Sequence, residues 1–250
     1  MEQGIASSFP PIFDGHNDAL LSLHLPARGG GRSFFERSAQ GQLDLPRAQE
    51  GGFAGGFFAM FVPNPPGTGG NLEETTRFTA DGYATPLPAP IELAYAQRTA
   101  LALFGRLLRL EAESAGQLRV VRDVETLEAC LRAGVLAAVA HFEGAEAIDP
   151  DLDALPVFYQ AGLRSLGPVW SRANRFGEGV PFAFPASPDT GPGLTEAGKA
   201  LVRACNALGV LLDLAHLNER GFWDVAALSS APLVVTHAGV HTLCPTSRNV

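Results

Sequence analysis

The sequence predicts an α/β fold, a TIM-like (β/α)8 barrel, and three observations carry that reading. Short apolar runs alternate with helical patterns along the 250 residues, as in a parallel sheet with right-handed crossovers. Residues able to hold a metal ion stand at the ends of several of these runs. Two segments without periodicity also follow strand ends, the side on which a parallel barrel carries its active site.

The strand-like runs fall near residues 9–14, 53–62, 135–142, 162–169, 209–215 and 232–237. Between them, Ile91 to Leu110 has apolar residues at helical spacing and is rich in Ala, Leu and Arg. Asp123 can cap a short helix through Leu131 that Gly134 ends. Leu152 to Gln160 reads as another helix. Thr195 is a good cap for Glu196 to Leu208, stopped by Gly209, and Asn218 opens a helix through Trp223 to Leu228. Two segments break the rhythm: Pro63 to Gly70, and the longer Gly- and Pro-rich stretch Ser171 to Gly193. Loops this long in a compact domain usually bind or cover something, so both are expected to face substrate.

Composition narrows the class. A chain that is 46% hydrophobic at this length can fill one sizeable core, so residues 1–250 are expected to form a single domain. The net charge of −8, the pI near 5.2 and the near absence of lysine argue against a nucleic-acid footprint. Cys130, Cys205 and Cys244 are odd in number and widely spaced; they suit a reducing compartment and read as small core residues. Met1 to Ser8 has neither a basic start nor an apolar core, and no run approaches the roughly 18 apolar residues of a membrane span. The expectation is a cytoplasmic protein with no membrane segment, whose apolar surface could support a homodimer.

The chemistry starts at Asp14-Gly15-His16-Asn17-Asp18, just after the first apolar run. In an extended strand His16 and Asp18 share a face and Asn17 points away, so an imidazole and a carboxylate form half of a divalent metal site. Glu143 closes the run 135–142, His216 closes 210–215 and His237 closes 232–236. His16 with Asp18 and His216 with His237 make two half-sites, and the two oxygens of Glu143 can bridge them. Two metal ions roughly 3.5–4 Å apart can share a hydroxide, polarise a carbonyl and stabilise an oxyanion. Mixed nitrogen and oxygen ligands favour two zinc ions, with cobalt or manganese compatible. The reaction class is hydrolysis of an amide, ester or similar carbonyl. His24, His141 and His241 are not assigned as ligands, although His24 and His141 could support one from behind. Asp213 is expected to satisfy local backbone or ligand-supporting groups.

With these residues in hand, the chain resembles the membrane dipeptidase (renal dipeptidase) family of zinc peptidases, which belongs to the amidohydrolase-like barrels. The resemblance runs nearly end to end. It includes Asp14-Gly15-His16-Asn17-Asp18, Gly52-Phe53-Ala54-Gly55-Gly56, Phe142-Glu143-Gly144, Asp213-Leu214-Ala215-His216 and Ser247-Arg248-Asn249-Val250. It implies that His16 and Asp18 bind one zinc, that His216 and His237 bind the other, and that Glu143 bridges. It also implies that Arg248 contacts the terminal carboxylate of a dipeptide, a task suited to the planar guanidinium fork.

Two departures from the family pattern bear on function. The stretch Gly162 to Ser171 aligns with a family strand that usually ends in a histidine near the scissile carbonyl, and here Trp170 stands there. Indole can donate one hydrogen bond but cannot accept a proton; Trp170 can line the substrate pocket, donate to the oxyanion, or simply pack at the rim. The six strand-like runs fall short of eight, and the family's late aspartate near the metal-bound water has no counterpart, so a C-terminally incomplete barrel is expected. Two alternatives stay open beside a dipeptidase. One is a related amidohydrolase acting on another amide, lactone or N-acyl amino acid; the other is a non-catalytic family member.

Overall fold

The computed structural model describes residues 10–68 and 72–250. Strand β1 (Ile12–Asn17) leads into helices α1 (Ala19–His24) and α2 (Leu45–Glu50) and then strand β2 (Phe53–Phe61). After α3 (Leu72–Thr75) come β3 (Arg77–Phe78), β4 (Tyr83–Thr85), the long α4 (Leu93–Glu113) and β5 (Leu118–Val120). The chain continues through α5 (Val124–Ala133), β6 (Leu136–Glu143), α6 (Ala154–Ala161), β7 (Leu163–Gly167) and β8 (Phe182–Phe184). It then forms α7 (Glu196–Leu208), β9 (Leu211–Leu212) and α8 (Glu219–Leu228). Met1 to Ser8, the residue Phe9 of the first expected run, and Gly69-Gly70 of the first expected loop lie outside the described residues.

The helix caps follow the sequence. Asp123 Oδ1 accepts from Thr126 N at 2.7 Å, Thr195 Oγ1 from Gly198 N at 3.0 Å, and Asn218 Oδ1 from Gly221 N at 2.9 Å. Each satisfies an amide that the first helical turn leaves without a partner. Gly134 and Gly209 end α5 and α7 at φ of 67° and 73°, the left-handed conformation that glycine enters without a Cβ penalty. Along α4 the buried residues Ala96, Ala100, Leu103, Leu107 and Leu110 recur every three or four positions, the stripe of a helix with one buried face.

The described residues group into two compact units, one running to Met60 and adding Leu103–Ala140, the other Phe61–Ala102 with His141–Val250. In the first, β1 pairs parallel with β2 (Ile12 with Phe53, Asn17 with Phe58) and β5 parallel with β6 (Leu118 with Leu136, Val120 with Ala138). Strand β2 passes so close to β6 that a Cβ on Gly55 would sit 2.3 Å from the Ala137 carbonyl oxygen. Cys130 of α5 packs with Val121 and Ala137, flanked by Leu127, Val135 and Val139.

In the second unit β7 pairs parallel with β9 (Ser165 with Leu211, Leu166 with Leu212). The parallel pairings and intervening helices are the α/β organisation that the alternation predicts. Three differences stand out. The run at 232–237 is not a strand: a single parallel bridge joins Asp213 to Val234. Pro232 has no amide to offer a ladder, and the Thr236 amide donates to the Asp213 carboxylate instead. The stretch 171–193 is not simply a loop, since its β8 joins β4 and β3 in a three-stranded antiparallel sheet.

That stretch is also pinned to α7, where Thr195 N donates to Phe176 O at 3.0 Å and Thr195 Oγ1 to Arg175 O at 2.6 Å. As the third difference, Cys244 is exposed rather than a core residue, while Cys130 and Cys205 are buried. Among the described residues no helix is long and apolar enough to cross a membrane.

Candidate active site

His16 and Asp18 lie in the first unit at the carboxyl end of β1. His16 Nε2 is 3.8 Å from Asp18 Oδ1, so imidazole and carboxylate do come together. The route differs from simple strand alternation: β1 ends at Asn17, and Asp18 has already turned to φ −94°, ψ 26° as the residue preceding α1. Asn17 serves structure, donating to Asp14 Oδ2 at 3.1 Å and to Phe57 O at 3.2 Å, which ties β1 to β2.

The second unit brings three expected ligands to one point. Glu143 ends β6, His216 follows β9 and His237 follows the Val234 bridge. His216 Nε2 lies 3.0 Å from Glu143 Oε1 and 3.0 Å from His237 Nε2, and His237 Nε2 is 3.6 Å from the same Glu143 oxygen. Bonds of about 2.0–2.1 Å from zinc to nitrogen or oxygen would put tetrahedral ligand atoms about 3.3 Å apart. The three spacings straddle that value, so the donor set fits a divalent cation in both chemistry and size. His216 is held there in a left-handed backbone conformation, φ 70°, which an L side chain adopts only when its surroundings enforce it. Its carbonyl accepts from Val180 N at 2.9 Å.

Each imidazole has its other nitrogen occupied. His216 Nδ1 is 2.8 Å from Ser171 Oγ, and His237 Nδ1 is 2.7 Å from Thr236 Oγ1. The Thr236 hydroxyl donates its proton to Asp213 Oδ2 at 2.6 Å; toward His237 it must therefore accept. That places the His237 proton on Nδ1 and leaves the Nε2 lone pair facing Glu143 and His216. Metal-ligating imidazoles are held in this way.

Asp213 anchors the arrangement. Besides the Thr236 hydroxyl it accepts from the amides of Ala215 (3.1 Å) and Thr236 (3.0 Å), and His141 Nε2 lies 3.5 Å away. Burial pushes its carboxyl up, but His141 and the Thr236 bonds outweigh that and hold it below the ordinary aspartate value. Burial pushes His216 down to about 4, with Arg248 adding to the effect and Glu143 opposing it. A neutral imidazole is the form that ligates a metal.

Arg248 and Trp170 flank this cluster. Arg248 Nη2 donates to His237 O at 3.1 Å, which uses one of the five guanidinium protons. Burial pulls its pKa down, while Glu143 and Asp213 favour its charge. Trp170 is almost fully buried, with ring-centre distances of 4.8 Å to Phe61, 5.8 Å to Phe182 and 5.8 Å to His216. It belongs to an aromatic wall beside His216.

Sequence reasoning did not single out Ser171, Thr236, Glu146 or Arg172. The signal for the last two was a charged residue inside or just after an apolar run, at the strand ends that carry the site. For Ser171 and Thr236 no pattern marks a hydroxyl that supports an imidazole.

A family model described as membrane dipeptidase (peptidase family M19) matches residues 3–250. A metallopeptidase of Rhodobacter sphaeroides, solved with a phosphinate mimic of the dipeptide L-Ala-D-Ala, is 50% identical with a TM-score of 0.89. The match covers 96% of this chain and 68% of that one. A second solved structure, described as a dipeptidase and metallopeptidase of family M19, is also 50% identical, with a TM-score of 0.88 over 96% of this chain and 67% of its own. An uncharacterised protein in the PQQ-III 3′ region of Acinetobacter calcoaceticus is 37% identical over 96% of this chain and 74% of its length.

Proposed function

The chain belongs to the membrane dipeptidase family of metallopeptidases, and from that premise we propose that it is a binuclear zinc dipeptidase. Its substrates are dipeptides with a free carboxyl end, including those with a D-residue there. The observation that carries the proposal is the convergence of Glu143 Oε1, His216 Nε2 and His237 Nε2 within 3.6 Å, with both Nδ1 atoms held from behind.

In this reading His216 and His237 would hold one ion and His16 and Asp18 the other, with Glu143 available to both. Zinc suits the mixed nitrogen and oxygen donors, and cobalt or manganese can replace it. Two bound ions would supply an activated water and a Lewis acid for the peptide carbonyl. The chain's own residues do the rest. Glu143 would supply the negative charge that bound cations require. Asp213, through Thr236, fixes the His237 tautomer. Arg248 offers its remaining guanidinium protons to the substrate carboxylate, and so selects short substrates with a free carboxyl end. Trp170 and Phe182 exclude water from one side of the cluster, and an indole there can donate a hydrogen bond but not relay a proton.

The Rhodobacter relative's ligand supports the substrate class, because a phosphinate imitates the tetrahedral adduct of an attacked carbonyl. The test is hydrolysis of a dipeptide panel, with L- and D-residues at the carboxyl end, before and after metal removal. Turnover that stops on chelation and returns with zinc is expected. Chelator-resistant turnover, or bound metal with no hydrolysis of any dipeptide, would contradict the proposal. Exchange of Arg248 for Ala separates the reading from an amidohydrolase that needs no substrate carboxylate.

A further inference from the structure

The second unit buries a charged pair that this chemistry leaves unused. Arg172 and Glu146 are both almost without solvent exposure, and Arg172 Nε is 3.6 Å from Glu146 Oε1. Burying two charges is expensive, and replacing such a pair by apolar residues is often neutral or better, so stability alone does not account for it. Hydrogen bonding does not either. Both Glu146 oxygens and the Nε and Nη1 of Arg172 lack a hydrogen-bond partner among the described residues. Among the described residues, the pair's one side-chain hydrogen bond is from Arg172 Nη2 to the Val62 carbonyl at 3.0 Å.

What the guanidinium does have is aromatic faces. Its central carbon is 4.8 Å from the Trp170 ring centre and 5.3 Å from that of Phe61. A planar, weakly hydrated cation is attracted to such faces, most strongly where water is excluded.

We infer that Arg172 is a positioning residue, whose guanidinium, anchored by Glu146 and the Val62 carbonyl, holds the Trp170 indole as a fixed wall beside His216 for substrate alignment. Trp170 stands at the position where the family usually has a histidine, so the wall shapes how a substrate lies rather than moving its proton. A wall that shifts loses contact with the bound substrate in the ground and transition states alike, a loss that raises KM more than it lowers kcat. The kinetic part of this inference rests on the dipeptidase reading; the placement of the indole does not.

The test uses the Trp223→Phe background. Of the chain's two tryptophans Trp223 is 61% exposed, so Trp170 then reports alone. Three variants are compared with that parent: Arg172→Lys, Arg172→Met, and Arg172→Met combined with Glu146→Gln. The double variant leaves no lone buried charge and guards against a single variant that fails to fold.

With folding confirmed by circular dichroism, Arg172→Lys and the double variant are expected to show red-shifted Trp170 emission and stronger acrylamide quenching. KM for a dipeptide should rise on the order of tenfold, with kcat falling less than about threefold. Parental emission, quenching and KM in the double variant would show that the pair serves only itself, and would overturn the inference. A parent without dipeptidase turnover would remove the substrate reading, while emission and quenching would still decide whether Arg172 fixes the indole.

Discussion

Replacing Thr236 with Val removes one hydroxyl and leaves the branched shape in place. That hydroxyl donates to Asp213 Oδ2 at 2.6 Å and meets His237 Nδ1 at 2.7 Å. A hydrogen bond to a charged group contributes about 1.5–3 kcal/mol. Asp213 keeps the amides of Ala215 and Thr236 and its His141 neighbour, so it is not stranded, and the loss should sit at the lower end, about 1.5–2 kcal/mol. At about 2–4 °C per kcal/mol for a chain of this size, the melting temperature falls by only a few degrees.

Metal binding should suffer far more, because His237 loses the acceptor that fixes its tautomer and ring orientation. Losing such a supporting partner typically costs about 10–100-fold in metal affinity. Competition with a chelator of known affinity, alongside a thermal melt, reads both quantities, and Thr236→Ser, which keeps the hydroxyl, should stay near the parent. Unchanged zinc affinity in a folded Thr236→Val protein would refute the tautomer argument.

Other perturbations have equally definite outcomes. Gly198→Ala should destabilise by about 2–3 kcal/mol in denaturant unfolding, although Ala is the better helix former by about 1 kcal/mol. Its Cβ would lie 2.0 Å from the Phe176 carbonyl oxygen, so the segment pinned to α7 has to move. Burial raises the Glu146 pKa to about 7, against the pull of Arg172. Between pH 4.5 and 7 the folded state therefore binds more protons than the unfolded chain. The contribution is full below pH 4.5 and is lost as pH rises through about 7, a span worth about 3 kcal/mol. Glu146→Gln should flatten that slope in unfolding measured across the window. Arg248→Lys, which keeps the charge but loses the planar fork, should raise KM for dipeptides about tenfold with a smaller change in kcat.

The parts of this protein that were legible in its sequence are those set by local rules. The caps at Asp123, Thr195 and Asn218 and the glycine stops at Gly134 and Gly209 follow from nearest-neighbour chemistry, and their helices form there. The strand-end position of Glu143 and the proximity of His16 to Asp18 were also readable. What was not readable depends on tertiary partners. The six-residue α1 and α2 are too short to show a helical period, and β8 is a strand only because β4 lies beside it. The run at 232–237 has a strand's composition, but the Asp213 carboxylate competes for the Thr236 amide. Asp213 itself looked like a local satisfier, and it is one; its reach through Thr236 to His237 needs the folded chain.

In the proposed reading, Glu143, His216, His237, His16 and Asp18 would hold two metal ions for dipeptide hydrolysis. The most direct test is metal content per chain in purified protein, measured together with turnover of a D-residue-ended dipeptide in the same preparation. About two zinc equivalents are expected, with turnover that tracks metal occupancy as zinc is removed and restored. No stoichiometric transition metal at neutral pH, or turnover independent of occupancy, would contradict it.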